Sequence, residues 1–230
     1  MVSRTGKSSS PRREKGAEKS RSRADRRALR ARPLDPPSLR DLALSYVARF
    51  ATTGARLEAY LARKLRERGV AEDAEGRPAE LDIPGLVSDF AARGYIDDAS
   101  YARSRSRDLT QRGYGTRRVE QALWAAGVEE EVRCEALPGE ARAREAALLL
   151  ARKRRFGLFA RGAAGDPLGD EDDADRSPEE VSARSRQREK QIAAMLRAGH
   201  DYDHVRFILD ADSEAQIEQW ISEARSEEPD

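Results

Sequence analysis

Arginine is the residue type whose spacing in this chain suits chemistry. Arg103 and Arg107 stand four apart, Arg112, Arg117 and Arg118 follow closely, and Arg152, Lys153, Arg154 and Arg155 form an unbroken run. Residues four apart share one side of a helix. Guanidinium groups presented together grip carboxylates or phosphates in a forked, bidentate fashion. The chemistry these nine residues offer is therefore recognition of an anionic partner, either nucleic acid or the acidic groove of a protein. Solvation of helix faces competes for each arginine taken singly, whereas binding is the better account of the clusters.

The other reactive residue types lack partners at useful spacing. Cys134 has no histidine near it in sequence and reads as a half-buried structural thiol. His200 and His204 are four apart with Asp201 and Asp203 between them, but neither an HExxH pattern nor a cysteine cluster accompanies them, so no metal site is expected. Gly113-Tyr114-Gly115 lacks the further glycine and the strand of a phosphate-binding loop and reads as a helix–helix turn. Asp97 and Asp98 read as helix caps rather than as paired carboxylates. No catalytic residue and no cofactor is expected, and the chain reads as a non-enzymatic binding protein.

The elements that must position the arginines are all helical. Asp97 or Asp98 caps a helix that Gly113 stops, and a second starts at Gly115–Thr116 and stops at Gly127. In the first, Tyr101, Ala102 and Leu109 form the buried side, with Arg103 and Arg107 opposite and Arg105 snorkelling at the apolar edge. In the second, Val119, Ala122, Leu123 and Ala126 face inward, leaving Arg117, Arg118 and Gln121 outside. Upstream, a capping box at Ser38 and Asp41 opens a helix through Phe50, another carries Leu57, Tyr60, Leu61 and Leu65 to Gly69, and a short one carries Ile83 to Ala91. Downstream, Val132 and Leu137 mark a short helix, and Ala146, Leu149 and Leu150 mark the stripe of one ending in the cationic run. That run spans more than a turn, so at least one of its members is expected near the core. Ser177-Pro178-Glu179-Glu180 starts a helix to Gly199. Two more follow, through Val205, Ile208 and Leu209, and, after a capping box at Ser213 and Gln216, through Ile217, Trp220 and Ile221. No stretch alternates with period two, so the class is all-α.

Composition fits a thin helical assembly: 230 residues, 38% hydrophobic, 37% charged and 6% aromatic. The net charge of +1 hides segregation, because residues 1–37, 166–180 and 210–230 carry +8, −7 and −7, leaving +7 for the rest. A basic body between acidic appendages suits an anionic partner. A single cysteine, no apolar run of membrane-spanning length and an N-terminus without the apolar stretch of a secretory signal point to the cytoplasm.

Three segments, GARLEAYL, GYGTRRVEQAL and GHDYDHVRFIL, place glycine before a helix with aliphatic residues four apart: Leu57/Leu61, Val119/Leu123 and Val205/Leu209. The second and third superpose without gaps at a shift of 86 residues, from Gly113/Gly199 to Leu123/Leu209. The recurrence implies tandem three-helix units that stack to bury their stripes, in an elongated, curved array. The expected organisation is a disordered basic arm (1–37), repeats at 38–94, 95–160 and 178–225, an acidic linker (161–177) and an acidic tail (226–230).

GYIDD (94–98) with Tyr101-Ala102, RGYG (112–115) with Val119 and Leu123, and MLRAGHDYDHVRFIL (195–209) resemble the RecX family, regulators of the bacterial recombinase RecA. The similarity covers about residues 39–222. It implies three tandem three-helix repeats in an arc that lies along the groove of RecA–DNA filaments. It also implies inhibition of strand exchange, ATP hydrolysis and coprotease activity, with direct DNA binding in some members. The partner expected is the RecA filament, with single- or double-stranded DNA as a further one, no membrane, and a monomer when free. A helical protein acting on DNA alone is the alternative. His200 and Arg105 depart from the family, standing where relatives commonly carry aromatic residues.

Overall fold

The computed structural model describes residues 32–160 and 178–228; the expected arm up to residue 31 and the whole linker lie outside them. The described residues form ten α-helices, one 3-10 turn and no β-strand, only two isolated bridges. The chain divides into two compact units, one of Leu57–Ala92 with the segment ending at Phe50, the other of Ala51–Arg56 with Arg93–Asp230.

The first unit holds α1 (Pro36–Val47), most of α2 (Gly54–Arg68) and α3 (Ile83–Ala92). The cap of α1 is Asp35, whose carboxylate accepts the Ser38 amide. This corrects the expected start at Ser38. Proline at the first helical position has its φ already set and no N–H to leave unsatisfied, so Pro36 takes that place and the cap moves before it. Leu34 is fully buried and exchanges two backbone hydrogen bonds with the strand-like residues after α2, 2.9 Å from the Gly69 carbonyl and 2.8 Å from the Ala71 amide. Leu39, Ala43, Leu57, Leu61, Ile83 and Phe90 are the buried apolar residues of these helices.

The second unit begins with a three-helix group: α4 (Asp98–Gln111), α5 (Thr116–Trp124) and α6 (Glu130–Ala136). Asp97 caps α4 by accepting the Ser100 amide at 2.8 Å. Asp98 accepts the Gly54 amide at 3.0 Å, so the second carboxylate serves a different helix start. Ala102, Leu109, Val119, Leu123, Ala126, Val128 and Ala136 form one apolar cluster. Cys134 is exposed rather than half-buried. With only seven residues, α6 turns Val132 and Ala136 inward, and position 134 falls on the other side.

The remainder is α7 (Glu140–Arg154), the 3-10 turn Gly157–Phe159, α8 (Pro178–Arg197), α9 (Tyr202–Asp210) and α10 (Glu214–Glu227). Ser177 lies outside the described residues. Ala147, Leu148 and Ala151 of α7 share a core with Met195, Val205, Ile208, Leu209, Ile217 and Ile221. The buried stripe of α7 thus centres on Leu148, while Leu149 and Leu150 are half-buried. Ser213 caps α10 as the capping box requires, but the reciprocal bond from Gln216 goes to the Asp212 amide at 3.0 Å. Glu228 reaches back to accept the Ala141 amide at 2.9 Å, so a terminal acid satisfies the start of α7.

The two groups of this unit meet at the pair of turns that the sequence aligns. Gly115 N donates to the Ala198 carbonyl at 3.0 Å and Arg117 N to the Gly199 carbonyl at 3.1 Å. A Cβ on Gly115 would sit 2.3 Å from the Gly199 carbonyl carbon, and one on Gly199 would sit 2.4 Å from the Arg118 nitrogen. Gly199 also has φ +91°. Gly199→Ala is expected to cost more than about 3 kcal/mol, the left-handed strain plus a displaced backbone. Gly69→Ala, at φ +75° with nothing within 4 Å of the added carbon, should cost only about 1 kcal/mol. Denaturant unfolding measures both; equal losses would dissolve the claim that the turns are pressed together.

Candidate functional site

The expected cations separate into three settings. Arg103 and Arg107 lie exposed on α4 and, with Arg142 of α7, line a groove of about 580 Å³. Its other walls include Leu137, Pro138, Leu149 and the carboxylates Glu135 and Glu145. Asp97, itself held below the usual carboxylate range by the Ser100 hydroxyl and amide, fixes Ser100, whose Oγ accepts Arg103 Nη2 at 3.0 Å. Capping chemistry at the start of α4 thereby orients the first arginine of the face. Arg105 is half-buried and paired with Asp108 at 3.3 Å, the edge position its spacing indicates.

A second set is spent on the fold. Arg152 bridges Glu214 and, at 3.7 Å, Glu218, and its guanidinium lies 5.7 Å from the Phe159 ring. Arg117 pairs with Asp201 at 3.4 Å across the meeting turns, and Arg118 bonds Gln121 at 2.9 Å. None of the four cations from Arg152 to Arg155 reaches the core, contrary to expectation, because Arg155 leaves the helix in the left-handed region (φ 57°) before the run completes its turn.

The third setting is a groove of about 400 Å³ lined by Arg112, Lys153 and Arg154 together with Arg197, and walled by Tyr114 and Phe156. Among the described residues no carboxylate lines it. Arg197 ends α8, and sequence reasoning missed it because it is an isolated arginine 43 positions after Arg154. Arg142, two positions before Arg144, was likewise not singled out. Trp124 also went unremarked; it is 68% exposed on α5 beside Arg117, Gln121 and Arg133.

The two histidines do not converge. His204 Nε2 lies 2.9 Å from Glu140 Oε1, edge-on to Trp220. Burial alone would raise the Glu140 carboxyl, but hydrogen bonds from Arg144 and His204 bring it below its ordinary value. His200 is 1% exposed, fills the joint between the turns and bonds the Gly113 carbonyl through Nε2 at 3.1 Å. Its Nδ1 is buried with no partner among the described residues. Burial pushes the ring down to about 4, further than the Gly113 carbonyl raises it. The neutral ring is thus the folded form, and its stabilisation is complete above pH 6.5 and lost as the pH falls towards 4. That window is worth up to about 3 kcal/mol. Melting temperature should fall over that range, and His200→Phe should flatten that part of the profile; an unchanged slope in the variant would remove His200 as its source.

Among the described residues no group of three or more His, Cys, Asp or Glu side chains is placed to hold a metal ion, and no helix is long and apolar enough to cross a membrane. The arrangement offers exposed cationic groups beside grooves.

Comparison with known proteins matches the three-helix group. The family model described as RecX, second three-helix domain, matches residues 97–137, which span α4 to α6. The Regulatory protein RecX of Myxococcus xanthus is 26% identical over 190 residues, 81% of this chain and 92% of that protein. The Regulatory protein RecX of Thermus thermophilus is 36% identical over 127 residues, 50% of this chain and 87% of that protein. The crystal structure of RecX from Lactobacillus salivarius shares the fold, with a TM-score of 0.52 at 19% identity, covering 76% of this chain and 97% of that one.

Proposed function

The chain belongs to the RecX family, and from that premise we propose that it is a regulator that binds RecA and RecA–DNA filaments along their helical groove. In this reading it inhibits the recombinase, ATPase and coprotease activities, and so modulates homologous recombination and the SOS response. The observation that carries it is the 36% identity to a named RecX regulator over 87% of that protein's length. The mechanism is stoichiometric: the protein lies in the groove, bridges adjacent protomers and hinders the duplex or repressor that uses the same groove. Any bias against the extended filament comes from tighter binding to another filament state.

Within this reading the cations have unequal roles. Arg103 and Arg107 are exposed beside a groove and roof no aromatic ring, so they are the first candidates for acidic side chains of the recombinase. Arg152 is committed to Glu214 and Glu218 and contributes packing of α7 on α10.

The test adds purified protein to RecA filaments after assembly and follows strand exchange. Inhibition at amounts comparable to RecA is expected, and Arg103→Glu/Arg107→Glu should raise the concentration required by about tenfold. Arg152→Glu should instead lower the melting temperature. No inhibition across a wide excess of the unaltered protein overturns the proposal. Salt-dependent DNA binding as tight without RecA as with it would favour a protein that acts on DNA alone.

A further inference from the structure

Three helix C-termini converge on one groove. The last turns of α4, α7 and α8 supply its walls through Arg112–Gly113, Leu150 to Arg154, and Ala194 to Ala198. Each helix end carries about −0.5 elementary charge, so together they present about −1.5. Cations at such ends commonly serve only to offset that charge or to satisfy the last carbonyls. Here the carbonyls have other donors. Tyr114 N reaches the Leu109 carbonyl and Gly113 N that of Thr110; Phe156 N reaches Ala151 and Arg155 N reaches Arg152; His200 N reaches Met195 and Gly199 N reaches Leu196. All three ends are closed by the same paired-turn motif, so capping accounts for no cation but Lys153, which bonds the Arg112 carbonyl.

The charge does not balance either. Arg112, Lys153, Arg154 and Arg197 line the groove, and among the described residues the carboxylate that pairs with one of them is Asp108, 3.8 Å from Arg112. Setting Arg112 against Asp108 leaves three cations over about −1.5 of helix charge, an excess of about +1.5. The donors are also open. Lys153 Nζ gives one bond, to the Arg112 carbonyl at 3.2 Å, of the three it can make. Arg154 and Arg197 are exposed, and no hydrogen bond or ion pair engages their guanidinium groups among the described residues. The half-buried rings of Tyr114 and Phe156 flank them, with the Arg112 guanidinium 5.6 Å from the Tyr114 centroid.

We propose that this groove binds a pair of neighbouring phosphate groups through Lys153, Arg154 and Arg197, with a base against its aromatic wall. A volume of about 400 Å³ holds one nucleotide-sized unit and no folded element. Forked guanidinium groups on two different helices match successive phosphates better than one isolated carboxylate. An aromatic wall adds stacking that a peptide acid does not use. The same chemistry comes from a nucleic-acid strand or from a free nucleotide polyphosphate. The inference stands apart from the RecA reading, since it needs no recombinase.

The full chain is titrated without RecA into fluorescein-labelled (dT)8, read by anisotropy at several salt concentrations, and ATP is titrated in parallel by calorimetry. Arg154→Glu/Arg197→Glu should weaken binding at least tenfold. Its salt slope should be shallower by roughly 1.4, the value for two phosphate contacts on a single strand. Arg49→Glu/Arg66→Glu removes the same charge from exposed positions elsewhere and should change affinity less than twofold. Should the charge-reversed pair fail to fold, Arg154→Gln/Arg197→Gln makes the same comparison. Groove-dependent binding of (dT)8 names a strand as the source, and groove-dependent binding of ATP names a nucleotide. Failure of both probes, equal weakening by the two double variants, or retention of polyglutamate in place of either probe overturns the proposal.

Discussion

The close passage of Gly115 against Gly199 is the constraint on which the second unit depends. Neither position tolerates a Cβ, and Gly115 N and Arg117 N donate to the Ala198 and Gly199 carbonyls, bonds that would otherwise be left to water or left unmade. The residues that precede these glycines are the ends of α4 and α8, so pressing the turns together brings two helix C-termini to one place. The backbone of α7 passes close by, with Leu150 N 3.3 Å from where a Gly113 side chain would begin. Three negative helix ends are thereby gathered at one place, and the cations beside them exceed the charge they offset. A backbone contact decided by two missing carbons thus determines where charge accumulates.

His200 belongs to the same joint. An aromatic ring at this position would fill the space between the turns but would leave the Gly113 carbonyl without the ring's donor. Imidazole supplies shape and a hydrogen bond together, since its neutral form has one N–H to give. The cost is a second nitrogen buried without a partner and a ring that resists protonation. Set against an aromatic ring, imidazole is therefore conservative in volume and not in chemistry.

Helix count and most helix stops were legible because Gly69, Gly94, Gly113, Gly127 and Gly199 all adopt positive φ, which marks the ends in sequence. The alignment of Gly113 with Gly199 was legible as a repeat; that the two copies touch was not, because nothing in a period says which units stack face to face. The face of α4 was readable from spacing, with Arg103 and Arg107 outward and Ala102 and Leu109 buried. The register of α7 was not. Six of its residues are buried, mostly alanines that carry little hydrophobic signal, so the expected stripe of Ala146, Leu149 and Leu150 holds the buried Ala146 but misses Leu148, while Leu149 and Leu150 are only half-buried. Arg197 and Arg142 escaped because a site assembled from single residues on separate helices leaves no local pattern.

The composition itself has a physical reading. Thin helical units own few large apolar side chains, and their aromatic rings lie near the surface. Guanidinium groups cover several of them: Arg40 over Phe90, Arg56 over Tyr101, Arg112 over Tyr114, Arg144 over Trp220 at 4.4 Å, and Arg152 over Phe159. Arginine suits this use because its flat, weakly hydrated face packs on a ring while its edge still donates. Arg144 does both, with its Nη1 on the Trp220 carbonyl at 2.6 Å and its Nε on Glu140 at 2.6 Å. Much of the arginine content is therefore part of the fold. Once the arginines that roof rings or strap helices are set aside, Arg103 and Arg107 on α4 and Arg154 and Arg197 at the converging helix ends are among the cations that no carboxylate pairs within the described residues. A basic composition alone could not have singled out these four, which fall beside two different grooves, Arg103 and Arg107 at one and Arg154 and Arg197 at the other.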